Sequence, residues 1–125
     1  MSTHINDFAA SVAMFSAVPP ISLTAAYTGS AVDMFSADGA CFAIQHVGAY
    51  EEGPTWNGTI EQSADGSTGW TAITGAAFAP VTEGNGTQVI RFTRTVRYVR
   101  YKATITGSGP DLALAVLVGE ARKSF

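Results

Sequence analysis

A chain of 125 residues with 46% hydrophobic content is long enough to bury one core and short for two. Only 14% of its residues are charged and the formal net charge is −3, which argues against a general nucleic-acid surface. Charge this sparse leaves a surface of small polar side chains, or one covered in part by other subunits, and the second is the favoured expectation.

Residues 1–20 (MSTHINDFAASVAMFSAVPP) contain no Lys or Arg, and Ser16 and Pro19-Pro20 cut the apolar tract. The segment therefore reads as neither an export signal nor a membrane span. Phe8, Val12 and Phe15 recur at near-helical spacing behind Asp7. An extended arm is nevertheless preferred, with those three residues as its candidate contacts to a neighbouring subunit. Residues 21–125 are expected to form one β-sandwich domain.

In ISLTAAYTGSAVDM, Ile21, Leu23, Ala25 and Tyr27 share a face at period two, and Thr28-Gly29-Ser30 supplies a turn. Phe35 to Gly39 supplies an Asp-Gly turn, and CFAIQHVGAY follows as a strand apolar on both faces. The lone cysteine, Cys41, lies in that strand and reads as a buried, inert thiol. His46, in the same strand, lacks companion ligands at metal spacing.

After the Glu51 to Thr55 loop, the alternation from Trp56 to Ser63 predicts a strand with Trp56 and Ile60 inward. Ser63-Ala64-Asp65-Gly66-Ser67 is a hairpin connection, because Asp accepts from following N–H groups and Gly takes positive φ. Trp70, Ala72 and Phe78 are expected to return to the core. The polar loop from Pro80 to Gln88 offers Glu83 and Asn85 as candidate contacts. Two oxygen side chains fall short of the six to eight ligands that Ca²⁺ takes.

All seven cations, Arg91, Arg94, Arg97, Arg100, Lys102, Arg122 and Lys123, follow eight of the ten acids. Such segregation implies contacts between identical neighbours, docking of one face on an acidic partner, or strands that neutralise one another within a subunit. In the run from Gln88 to Thr106, Val99, Tyr101, Ala103 and Ile105 form a core stripe. Tyr98, Arg100 and Lys102 fall on the other side and, with Arg94, make a candidate interaction face. Protein contact is favoured there over nucleic acid. Leu112, Leu114, Val116 and Val118 mark a last strand that belongs inside a sheet, since an exposed edge so apolar invites aggregation.

About eight strands with turns between them predict an all-β fold, an antiparallel β-sandwich of jelly-roll rather than immunoglobulin type. The histidines, the single cysteine and the scattered carboxylates make no triad, dyad or metal set. The chain is thus read as no enzyme, with no cofactor and no metal.

IEQSADGSTGWTAITGAAF followed by RYVRYKATITG resembles discoidin-like, galactose-binding-type sandwiches. Val47-Gly48-Ala49, Glu61 to Ile73, Arg97 to Thr106 and Leu112 to Lys123 are more closely similar to small proteins encoded among the structural genes of tailed bacteriophages. That resemblance implies a virion part assembled in the bacterial host cytoplasm: a capsid decoration protein, or the base of a head fibre or spike. Its partners would be the major capsid protein or another virion protein, in a homo-oligomer. It departs at Gly69, inserted before Trp70, and in the N-terminal arm. The alternative is a module binding a host glycan, with Tyr50, Trp56 or Tyr98 as a stacking platform and Gly84 to Gly86 as its rim.

Overall fold

The structure, a computed structural model, describes residues 12–35, 37–50, 54–107 and 111–122. These form nine strands: β1 (Val12–Leu23), β2 (Tyr27–Thr28), β3 (Val32–Asp33), β4 (Ala37–Tyr50), β5 (Thr55–Ser63), β6 (Thr71–Ala77), β7 (Gly86–Phe92), β8 (Tyr98–Thr106) and β9 (Leu112–Arg122). One sheet runs β1-β9-β4-β7 and the other β2-β8-β5-β6, with β3 also on β8. Every pairing is antiparallel.

β2 and β3 are two pieces of one strand position. Tyr27 pairs with Ala103 and Val32 with Val99, while the Gly29 N–H between them donates to the Tyr101 carbonyl at 2.8 Å. Counting the two pieces as one strand turns nine into the expected eight. Their orders, 1-8-3-6 and 2-7-4-5, are those of the two interleaved sheets of a jelly roll.

Three local readings change. The boundary expected at residue 20 falls inside β1, which starts at Val12 and carries Pro19-Pro20 within it. β1 tolerates the prolines because it is an edge strand with register shifts on either side of Val18. The face expected to run from Ile21 to Tyr27 is broken after Leu23, where the chain crosses to the second sheet. Asp38-Gly39 is no turn, because both residues lie in β4 at a register shift between Ala37 and Cys41. The reversal comes earlier, where the Phe35 N–H donates to Asp33 Oδ1 at 2.9 Å.

The core lies between the sheets. Trp56, Ile60, Val99 and Tyr101 face Ala43, Val116 and Val118, all seven at 0% exposure. On β6 the phase slips at a register shift against β5, so Ile73, Ala76 and Phe78 point inward while Ala72 stays exposed. A polar thread crosses this core. Trp56 Nε1–H donates to the Tyr101 hydroxyl at 2.8 Å, which donates to Gln45 Oε1 at 2.5 Å. Burial pushes the Tyr101 phenol well above its ordinary pKa, so it stays a donor. Gly58 makes room for the thread, since a Cβ there would run into the Tyr101 hydroxyl and the Gln45 carbonyl oxygen.

The β5–β6 hairpin closes as its residues predict. Asp65 accepts from the N–H groups of Ser67 and Thr68 at 2.8 and 2.9 Å, and Gly66 sits at φ 77.

Candidate interaction surfaces

Three surfaces can bind something, and they lie on different parts of the sandwich. The first is the outer face of β8, where Tyr98, Arg100 and Lys102 project from the second sheet, half-buried by their neighbours. Arg100 stands opposite Glu61 in the register and donates to its Oε1 at 2.8 Å. Its guanidinium also lies 4.3 Å over the Trp70 ring. Trp70 therefore does not return to the core: β6 begins one residue after it, and the cation holds the indole on the outside. Beside this pair, Arg97 makes a two-pronged contact to Asp33, Nε to Oδ1 at 2.8 Å and Nη2 to Oδ2 at 2.7 Å. The same guanidinium stacks near Phe35 and Tyr98, at 4.7 and 5.1 Å.

Asp33 and Glu61 come from the acid-rich part of the chain, and Arg97 and Arg100 from the basic part. In these two pairs, then, acids of the early part of the chain meet cations of the late part within one subunit. Lys102 is in none of these ion pairs.

Arg94, expected on this face, is elsewhere. It turns to the end of the first sheet, where Nε lies 3.0 Å from both oxygens of Glu120. Nη1 and Nη2 donate to the carbonyls of Val96 and Met34, each at 3.0 Å. Glu120 is 1% exposed, and the Cys41 thiol donates to its Oε2 at 3.2 Å. Burial, first, and that carboxylate, second, push the Cys41 thiol up to about 11. A thiol so placed is a poor nucleophile at neutral pH, as its apolar run suggests.

Above pH 4 the Asp33 and Asp65 carboxylates stabilise the fold. The Arg97 side chain, then the Phe35 N–H, hold Asp33 down at about 2, and the N–H groups of Thr68 and Ser67 hold Asp65 lower still. Both lie below the ordinary 3.8, so their contribution is complete above that value and is lost as pH falls through the folded-state values. Urea midpoints measured from pH 5 to pH 2 are expected to fall, and to fall less in an Asp33→Asn/Asp65→Asn variant. Equal slopes would count against these pairings.

The second surface is the loop before β7. Residues Val47, Pro80, Thr82, Glu83, Asn85 and Gln88 border a cleft of about 270 Å³. Asn85 takes φ 59 and its N–H donates to the Gly48 carbonyl at 2.8 Å, while the Gln88 amide clamps both backbone groups of Ala79. Glu83 and Asn85 are exposed at its rim. No cluster of three metal-ligating side chains occurs among the described residues.

The third surface was not anticipated. The outer side of the first sheet exposes Met14, Val89 and Leu117 at 41%, 63% and 39%, with Phe42 and Ile44 half-buried between them. It also holds His46, whose Nδ1 lies 2.8 Å from the Thr87 hydroxyl across the β4–β7 pair. The signal was present in CFAIQHVGAY, read as a strand covered on both faces. The inner face is covered by the second sheet, and no described element covers the outer one.

Of the arm residues, Phe8 lies outside the described residues. Val12 and Phe15 are half-buried in β1, where Phe15 packs on the core. Of the three aromatics offered as a glycan platform, Tyr98 lies on the outer face of β8. Trp56 is fully buried, and Tyr50 is half-buried with its hydroxyl donating to the Pro54 carbonyl.

No protein-family model matches the sequence, and no curated protein matches it. Among solved structures, the chain is similar to one in the structure of infectious bursal disease virus Gx strain, at 11% sequence identity and a TM-score of 0.49. The match covers 91% of this chain and 33% of that one, so the chain spans about a third of its neighbour's length. A likeness at this level carries no argument about function.

Proposed function

We propose that this chain is a non-enzymatic structural protein of a virus particle, a tailed bacteriophage in the closest reading, that works through protein–protein contacts on the capsid or at the base of a head fibre. The observation that carries the reading is the exposed apolar side of the first sheet. Contiguous apolar surface of this kind on a folded domain marks a place where protein is meant to sit. The jelly roll supports the reading without deciding it, because capsid and lectin domains share that architecture. The phage assignment draws its support from the sequence segments Glu61 to Ile73 and Arg97 to Thr106. A lone buried thiol also suits assembly in a reducing cytoplasm. The partner would then be the major capsid protein or another virion protein.

Purified particles tested by mass spectrometry should contain the chain in fixed proportion to the capsid subunit. Purified protein should also cosediment with empty capsids through a sucrose gradient. Protein that stays at the top of the gradient and is missing from the particles would remove the virion reading.

A further inference from the structure

The register of the first sheet sorts its outer side chains into rows. One row holds Leu117, Ile44 and Val89, on β9, β4 and β7. The next holds Ala115, His46 and Thr87. Beyond that lies a groove of about 300 Å³ where Gly48 lies beside Ala113 and Ile21 forms a wall. On β9 and β4, large side chains therefore stand on one side of the His46 row and small ones on the other.

Charge divides about the same row. Arg91 stands four positions after Thr87 in β7, and Glu83 stands four positions before it in the loop that enters β7. Both are exposed, and neither takes part in an ion pair among the described residues.

We propose that this face is the interface of a symmetric homodimer, two sheets packed face to face about a two-fold axis that crosses the strands at the His46 row. Such a rotation reverses strand direction and keeps the order of strands across the sheet. It sets Leu117 over the partner's Ala113 and Ile44 over the partner's Gly48, and brings Arg91 to the end of β7 where the partner's Glu83 loop enters, to within the twist of the sheets. Each contact then occurs twice, as an isologous interface requires, and large side chains meet small ones as in aligned sheet packing. Four strands at about 4.8 Å and eight steps of about 3.4 Å describe a face of roughly 500 Å² in projection. That is the scale of one partner's share at the small end of specific interfaces, roughly 600 Å². A second copy is favoured over an unrelated protein because its own groove lies where the ridge needs it, and its own acidic loop enters β7 at the end that the rotation brings to Arg91. The inference does not rest on the virion reading, since the dimer is measured in free solution and particle association separately.

Sedimentation equilibrium of the full chain should show a reversible monomer–dimer equilibrium. Leu117→Lys, at a solvent-facing position, should weaken dimerisation by about tenfold or more while the circular dichroism and melting of the dilute monomer stay unchanged. Arg91→Glu and Glu83→Arg should each weaken it, and the two together should restore it, an outcome that a folding defect cannot mimic. Several results would overturn the proposal: a monomer up to several hundred micromolar, an odd-numbered assembly, or a dimer indifferent to Leu117→Lys. A double charge reversal no better than the single ones would do the same.

Discussion

A Trp56→Ala variant is expected to lose about 4 kcal/mol of folding stability, because a large aromatic is removed from a core that cannot collapse into the space. Trp56 is fully buried between the sheets, on the central strand β5, and its indole N–H holds the Tyr101 hydroxyl. Domains of this size are stable by about 5–15 kcal/mol in total, so the variant stands near the limit of folding. Trp56→Phe separates the two contributions. It keeps most of the buried area and loses the donor, and is expected to cost about 1–2 kcal/mol. Urea denaturation of the three proteins checks both figures. A loss under about 1 kcal/mol for Trp56→Ala would mean that the sandwich is held together elsewhere.

The second large effect belongs to Arg94. Arg94→Ala leaves the Glu120 carboxylate buried without its cation, and a broken buried pair of this kind costs about 3–5 kcal/mol. The Asp33–Arg97 pair is shorter, 2.7 Å against 2.9 Å, yet its side chains are nearly half exposed. Water can replace that partner, so Arg97→Ala should cost far less. An Arg94→Met/Glu120→Leu double variant should recover much of the loss, since apolar side chains of similar volume need no counter-charge. Thermal melts of the single and double variants test this. A single Arg94→Ala melt close to wild type would show that water reaches Glu120.

Much of the sandwich can be read in the sequence because its inward side chains keep period two where the strands are regular. Trp56 and Ile60 on β5, Val99, Tyr101 and Ala103 on β8, and Leu112 to Val118 on β9 fall inward as their spacing predicts. Legibility fails where the backbone breaks phase. β1 and β4 each carry two register shifts and β6 one against β5, and in β1 and β6 a fixed alternation names the wrong residues. Ala72 was expected inside for that reason. The surfaces were less legible than the core. Arg94 and Arg100 have the same side-chain chemistry and lie six residues apart, yet one closes a buried carboxylate and the other caps a half-buried indole. Only the three-dimensional arrangement of acids separates them. The apolar outer side of β4 was visible, but period two cannot say whether the cover comes from the same chain.

β9 lies between β1 and β4, so neither of those strands has its main partner until residues 112–122 exist. At about 5–20 residues per second, a ribosome needs roughly 5–20 seconds to travel from the end of β1 to the end of β9. For that interval, Val18, Leu23 and the apolar side chains of β4 stand without the strand that pairs and covers them. The second sheet meets the same delay on a smaller scale, since β5 and β6 can close their hairpin early but β2, β3 and β5 all wait for β8. The first sheet therefore closes only once its last strand has been made, and until then the apolar side chains of β1 and β4 are open to aggregation.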